Sequence, residues 1–495
     1  MEERTDYQFK PGLGIKMKLM RRIIQFVLMF WGVTLCNSLY SQTNMVFYPF
    51  ENQQNASGYN PSFLSQQNKF TLSFFPISGI NVGYNNQEAV GNMLREMLKG
   101  NQTNQIFQDA FKSMVKHQLF YQRLENELFR FGYQSKIGAF DFRIKENMQL
   151  LADVQNDFSE LLVNQNAESI IPDKRQEFPA MALHYREYSF GFAREIIPQK
   201  LSVGVRLKAY YGKSSMTSDA YGLATGDQSG VYLQTHGALN TSAPIEVVTA
   251  TDGSLKTVTT ASDFSIGNYL RNSGNFGFGL DLGFNYKVNE QLSVAASVLD
   301  LGKIDWKNNL NTMEFEGNYK IDNYITVSPE GVITKNPDFS FDDTNTTSLY
   351  KIQTKQQAYS TRMPLTTFIE LKYQLKPDLQ INLVNRYINV PSLSYNSILL
   401  TGLWQMNERL QLSSGYALLG DSYFNIPFAL LYRMNKAQFY MGTDNLLAII
   451  LPGQADFSGA TFGVTLFPFQ GKVKYKKQVE YLPFYRERKR KSGNK

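Results

Sequence analysis

Cysteine is almost missing from this chain: among 495 residues only Cys36 carries a thiol. It lies in an apolar run near the amino terminus, so the chain beyond it has no disulfide framework and no thiol chemistry. Histidine is nearly as scarce. His117, His184 and His236 are far apart, none at a metal-ligand spacing, and no Asp/Glu cluster of the usual kind stands in for them. No apolar run beyond residue 41 approaches the roughly 18 residues that a membrane-spanning helix needs. Gly277, Gly279 and Gly283 imitate a glycine-rich nucleotide loop, but they alternate along a strand with no helix behind them, which removes the phosphate-cradling geometry. Their glycines read instead as places where a wall bends or a neighbour packs closely. His236, on a strand predicted to face a lumen, reads as a structural polar residue. No catalytic residue, metal or cofactor is expected, and the chain is read as a non-enzyme.

A large net charge of either sign is missing from the body. The formal net charge is +7, but residues 471–495 hold ten basic side chains against Glu480 and Glu487, and residues 1–22 hold six basic against three acidic. The remainder is mildly acidic, at −4. A folded basic surface for nucleic acid is therefore not expected. The amino terminus supplies Lys16–Arg22, then the apolar Ile23–Leu35, then small and polar residues to Gln42. That order reads as a secretory signal cut after Ser41, with a non-cleaved anchor as the alternative. Residues 1–16 add nothing that a signal needs, so a start at Met17 or Met20 serves equally well. Leu35 stands where a lipoprotein site requires a small residue, which argues against acylation of Cys36.

What the chain does have is alternation and aromatic residues, the latter at 14%. In Phe276-Gly277-Phe278-Gly279-Leu280-Asp281-Leu282-Gly283-Phe284-Asn285-Tyr286-Lys287-Val288 every even position is large and apolar. Every odd position is glycine, polar or charged. A period of two puts the two sets on opposite faces of a strand. Asn289-Glu290 makes a polar turn, and Gln291–Val298 returns. Similar strands are predicted at 69–75, 128–133, 137–144, 182–194, 201–210, 231–240, 368–373, 379–384, 398–404, 410–416, 428–432, 439–442 and 457–467, with a further candidate at 313–319. Ile80–Tyr84 extends or returns the first. Short polar joints at 376–378, 406–408 and 434–436 alternate with polar loops at 320–355 and, less markedly, 212–229 and 249–270. Helical spacing appears at Val90–Leu98 and Ile106–Val115, and a short helix is predicted at 157–164.

Only a closed barrel uses this many half-apolar strands without a linker. The expected fold is all-β: a single transmembrane antiparallel barrel of about 14 strands (12–16) with a few short helices. Residues 1–41 form the signal peptide. Residues 42–68 form an irregular segment, a candidate plug centred on Asn60 and Pro61, and 69–468 form the barrel with a helical insertion at about 87–117. Residues 469–495 form a basic tail. With the apolar face of 276–288 towards lipid, Gly277, Gly279, Asp281, Gly283 and Asn285 face the lumen. Arg486, Arg488, Lys489, Arg490 and Lys491 either form a solvated end or tether the chain electrostatically to an acidic partner, anionic lipid or the cell-wall layer.

Several stretches carry a family resemblance: Asn60-Pro61-Ser62, Tyr188–Glu195, Lys200–Lys208, Leu239–Ser242, Phe278–Gly283, Ser297–Trp306 and Asp444–Leu447. Through them the chain resembles the uncharacterised outer-membrane barrels of Bacteroidota, similar in style to FadL-like fatty-acid channels and PorV-like secretion barrels. The resemblance spans most of residues 42–468 and brings no site residues with it. It implies the outer membrane of a Gram-negative bacterium, with membrane lipid as partner. The expected role is a passive channel or binding barrel for small amphipathic or hydrophobic molecules. The alternative is a non-enzymatic scaffold in an outer-membrane secretion or assembly complex, in contact with other outer-membrane or periplasmic proteins.

Overall fold

The computed structural model describes residues 45–51, 53–66, 69–85, 119–153, 175–177, 179–227, 230–249, 255–262, 264–271, 274–321, 325–327, 333–335, 351–390, 393–420, 422–450 and 457–469. The signal segment, the two helices expected at 87–117, the helix expected at 157–164 and the tail from residue 470 lie outside them.

Fourteen antiparallel strands close into a barrel, as the alternation predicts. They are β1 (Phe70–Phe74 continued by Ile80–Asn85), β2 (Leu119–Gln134), β3 (Ala139–Asp153), β4 (Ala180–Ile197), β5 (Leu201–Asp227), β6 (Asn275–Lys287) and β7 (Leu292–Trp306). They continue as β8 (Tyr359–Arg362 and Leu365–Lys376), β9 (Leu379–Val390), β10 (Leu393–Gln405), β11 (Leu410–Leu419), β12 (Ser422–Asn425 and Phe428–Arg433), β13 (Ala437–Thr443) and β14 (Phe457–Leu466). Each strand pairs with the next, and β14 returns to β1 through Leu72↔Leu466 and Ile80↔Phe462. Closure leaves no wall edge, so backbone N–H and C=O groups are satisfied where no water can reach them.

The sequence sets the two rims. Tight turns at 135–138, 198–200, 288–291, 377–378, 406–409 and 434–436 lie at one rim, together with the start of β1 and the end of β14. At the β6–β7 turn the Asn289 carboxamide oxygen accepts from the backbone N–H groups of Gln291 and Leu292, both at 2.8 Å. Asn407 repeats this device at the β10–β11 turn. Such Asx bonds close a turn with a side chain in place of backbone. Long connections leave from the opposite rim.

The connection that continues β5 differs from the sequence expectation. Residues 212–227, expected as a loop, extend β5 beyond the wall as strand. There they pair with Gly230–Ser242, which pairs with Leu310–Ile321, which pairs with Lys351–Lys355. The result is a fin standing above the barrel. Its polar, Ser/Thr-rich composition resembles a loop because neither of its faces has to meet lipid. His236 therefore stands in the fin, opposite Tyr221 and Glu316, and not on a lumen wall.

On the wall, one face is apolar and outward: Phe190, Leu207, Phe278, Phe284, Ile369, Leu400 and Phe462 are all exposed. Aromatic rings bound this belt. Tyr133, Tyr286, Tyr373, Trp404 and Tyr432 stand near the tight turns, and Tyr188, Tyr211 and Phe276 form a ring row on the other side, with centroids 5.4 Å apart at each step. From Phe276 to Tyr286 a tilted strand spans about 25 Å, the height of a membrane barrel's apolar band. No helix among the described residues is long and apolar enough to cross a membrane. A closed, detergent-extracted barrel should resist unfolding in dodecyl sulfate until boiled. Unboiled protein is expected to run ahead of boiled protein on a gel, and identical mobility would contradict the closed ladder.

Candidate functional site

The lumen is filled from within by the chain's own residues 45–66. Three 3-10 turns make up this plug: Met45–Phe47, Gln54–Gly58 and Pro61–Gln66. Local chemistry sets each start. The Gln53 side chain accepts from Ala56 N at 3.1 Å and begins the second turn. Asn60 Oδ1 accepts from Ser62 N at 3.0 Å and from Ser62 Oγ at 2.7 Å, and Pro61 in first position presets the backbone of the third.

Asn60 also fastens the plug to the wall. Its Nδ2 donates to Phe284 O on β6 (3.1 Å), to Ala296 O on β7 (3.2 Å) and to Tyr48 Oη (3.1 Å). The wall opposite is cut away by small residues in one register row, Ala193↔Gly204↔Gly283 on β4, β5 and β6. A Cβ on Gly204 would overlap the Pro61–Ser62 backbone, and one on Gly283 would overlap Asn60 Oδ1. Glycine is required here by close approach, not by a special backbone angle.

Charged groups hold the next layer. On β3 the alternation Phe140-Asp141-Phe142-Arg143-Ile144 points Asp141 and Arg143 inward. Asp141 accepts from Arg143 Nε at 2.6 Å and from Arg206 Nη2 of β5 at 3.1 Å, and Arg130 of β2 stands 3.5 Å away. All four are buried. Asp281 also stands 3.6 Å from Arg206, and the plug supplies further acceptors. Arg130 and Arg143 donate to Ser57 Oγ, Arg206 Nη1 donates to Ser57 O at 2.8 Å, and Arg130 also reaches Gln54 O. Breaking such a buried set by removing one member costs on the order of 3–5 kcal/mol.

Beside it Lys208 Nζ lies 2.9 Å from Asp281 and 2.6 Å from Asp300. Asp300 occupies a left-handed backbone conformation at φ 63, at a bulge where β7 slips against β6. The Asp281 carboxylate accepts from the Asp300 N–H at 2.8 Å. Aspartate tolerates this conformation better than most residues, and a bulge is a common means of re-aiming a side chain into a site.

Aromatic contacts complete the seal. Tyr48 stacks on Phe368 of β8 at 4.9 Å and meets Phe63 edge-on at 5.3 Å. The plug's upstream end is clasped by Asp444, whose two oxygens accept from Met45 N and Val46 N, both at 2.9 Å. Towards the tight turns Glu51 pairs with Lys372 of β8. Below the plug a polar vestibule of about 970 Å³ opens among Ser202, Asn285, Gln291, Lys372 and their neighbours. Above it, a cavity of about 70 Å³ lies between Arg123, Glu125, Lys145, Lys208 and Asp300. Nearer the long-loop rim an apolar layer crosses the barrel through Tyr185, Tyr210, Trp306, Ile388, Val390 and Tyr395.

Of the residues singled out by sequence, Asn60 and Pro61 meet Gly283 at the docking row, Asp281 binds Lys208, and Asn285 lines the vestibule. Gly277 and Gly279 abut Ile304 and Tyr210 instead of the plug. Arg486, Arg488, Lys489, Arg490 and Lys491 lie outside the described residues. Sequence reasoning gives no site role to Asp141, Arg143, Arg206, Lys208 or Asp444. The first four have a signal, since each is a charge in the inward phase of an alternating strand. Asp444 stands in the family stretch Asp444–Leu447, but nothing local points to its partners, which lie 399 and 398 residues away.

Two substitutions test the docking row. Asn60→Ala should loosen the plug by about 1–3 kcal/mol, since its wall and turn hydrogen bonds go together. The reading is faster hydrogen exchange in residues 45–66 with the wall strands unchanged. Gly204→Val should displace the segment further, and unaltered exchange in both variants would show that the row does not hold the plug.

Known structures similar to this chain include a Pseudomonas aeruginosa FadL homologue, at 9% identity over 87% of this chain and 99% of that one, with a TM-score of 0.38. The Pseudomonas putida toluene transporter TodX is similar at 10% identity, 83% and 93% coverage and a TM-score of 0.36. The Ralstonia pickettii toluene transporter TbuX is similar at 10% identity, 84% and 93% coverage and a TM-score of 0.35. Among curated proteins none matches. A family model, described as a family of unknown function (DUF5723), matches residues 61–444, from the plug's docking proline to the aspartate that clasps its upstream end, and the chain belongs to that family.

Proposed function

We propose that this protein is an outer-membrane barrel of a Gram-negative bacterium that passes or binds small amphipathic or hydrophobic molecules, with residues 45–66 as its gate. The observation that carries the reading is the plug itself. A wall of fourteen strands encloses more space than inward side chains fill, and here a segment attached to the barrel at one end occupies it. Its attachments are largely hydrogen bonds, ion pairs and ring contacts, which can be exchanged for contacts to water or ligand when the segment moves.

The stacking of the lumen supports an amphipathic cargo. An apolar layer of Tyr185, Tyr210, Trp306 and Tyr395 lies on the charged zone of Arg123, Glu125, Lys145 and Asp300. A molecule with one apolar and one polar end has a complement in each. The wall's apolar belt and aromatic borders support the membrane location.

A second reading, a scaffold within a larger outer-membrane complex, is favoured by the fin, which extends β5, Gly230–Ser242 and Leu310–Ile321 well past the wall. Planar-bilayer conductance separates the two. Native protein should conduct little, and a chain lacking residues 45–66 or carrying Gly204→Val should open a steady pore. A barrel that stays silent without its plug, and that co-purifies with a stoichiometric partner from native membranes, would favour the scaffold.

A further inference from the structure

On the outer face of the barrel, above the aromatic row, a polar cluster interrupts the wall. Ordinary alternation along β4 sends Met181, Leu183 and Tyr185 into the lumen's apolar layer and points His184 out, and a register shift opposite it leaves Lys213 of β5 as the extra residue. There His184 Nε2 meets Glu146 Oε1 of β3 at 2.9 Å, and Arg186 Nε donates to Glu146 Oε2 at 2.6 Å. Glu146 stands in the outward phase of β3, next to the exposed Met148. Polar groups of this kind on an outer wall mark where the strand leaves the hydrocarbon.

Across this cluster lies the connection that leads into β6, with the short helix Ile266–Arg271. Tyr269 pins it, its phenol 2.5 Å from His184 Nδ1 and 3.0 Å from Ser214 Oγ on β5. Burial holds the Tyr269 phenol above its ordinary pKa, so it stays a neutral hydrogen-bonding group. No residue of the helix is buried. Yet Phe264, Ile266 and Leu270 are large, apolar and exposed, at 42%, 63% and 39%. Single exposed apolar residues are ordinary; three within seven positions beside a lipid-facing wall are a patch.

We propose that residues 264–271 form an interfacial strap, with Phe264, Ile266 and Leu270 seated in the outer-leaflet boundary of the membrane that surrounds the barrel. The occupant follows from continuity. The strap ends four residues before Asn275, and Phe276 belongs to the ring row Tyr188–Tyr211–Phe276 that borders the apolar belt. Tyr269 ties the strap's polar side to the cluster, Phe264 packs against the Tyr269 ring at 6.0 Å, and Ile266 and Leu270 stay exposed. A short apolar-faced segment at that height partitions into the headgroup–acyl boundary. The strap adds a lipid contact on the barrel's outside and rests on the membrane reading given above.

The test uses full-length protein in a Cys36→Ser background, reconstituted in phosphatidylethanolamine–phosphatidylglycerol vesicles. A nitroxide is placed at Ile266→Cys, at Leu270→Cys, at Phe278→Cys in the belt and at Val248→Cys in the separate hairpin that pairs Ile245–Thr249 with Leu255–Thr260. Collision rates with oxygen, which concentrates in lipid, and with a water-soluble nickel chelate are then compared. The oxygen-to-nickel ratio at 266 and 270 should match that at 278 and exceed that at 248 several-fold. Adding Tyr269→Phe should raise label mobility at 266 and leave 278 unchanged. A nickel-favoured label at 266 would mean a solvated loop, and protection from both reagents would mean a protein cover, a second copy included; either overturns the strap. If 278 itself favours nickel, the membrane reading fails and not the strap alone.

Discussion

Everything in this molecule depends on the ring of hydrogen bonds that closes when β14 meets β1, where Leu466 pairs with Leu72 and Phe462 with Ile80. A sheet with one apolar and one polar face has to hide the apolar side, and here that side is outermost. In water the arrangement would fail; around a closed ring facing lipid it is stable, because no backbone group is stranded at an edge. The same closure creates the second problem of the fold, a polar interior too wide for side chains to fill.

The interior problem is solved by the chain's amino-terminal segment, and the solution is polar as well as apolar. Arg130, Arg143 and Arg206 gather around Asp141, with Asp281 beside Arg206, and plug oxygens accept from all three, so plug and wall complete each other's hydrogen bonding. Asn60 works in the opposite direction, offering plug N–H groups to wall carbonyls. The glycine and alanine row makes room for this exchange. A seal built from reciprocal donors and acceptors is specific in register, yet each contact has a counterpart in water.

Much of this was legible beforehand. The period of two in Phe276–Val288 led to the wall, and the turn chemistry of Asn289 and Asn407 appears as written in the sequence. Asn60-Pro61-Ser62 stood out because an Asn-Pro pair is a turn signal. The fin is legible in part: 231–240 and 313–319 read as strands, whereas 212–227 and 351–355 lack alternation and look like loops. His236 was assigned to the lumen because a strand pattern does not say whether the strand belongs to the wall or stands above it. The charge cluster was half visible: Asp141 and Arg143 alternate with Phe140, Phe142 and Ile144, but alternation gives a face and not a partner.

The sequence by itself determined which side chains face out and where the tight turns fall, and bounded the wall at 12–16 strands, because period and turn residues act over two to five positions. The tertiary structure decided what the inward residues do. That Gly204 stands under Pro61, that Arg206 reaches Ser57 and that Asp444 holds Met45 depends on strands far apart in the chain being brought around a closed ring. Contacts of that kind are set by the barrel's curvature and register, and no local pattern carries them.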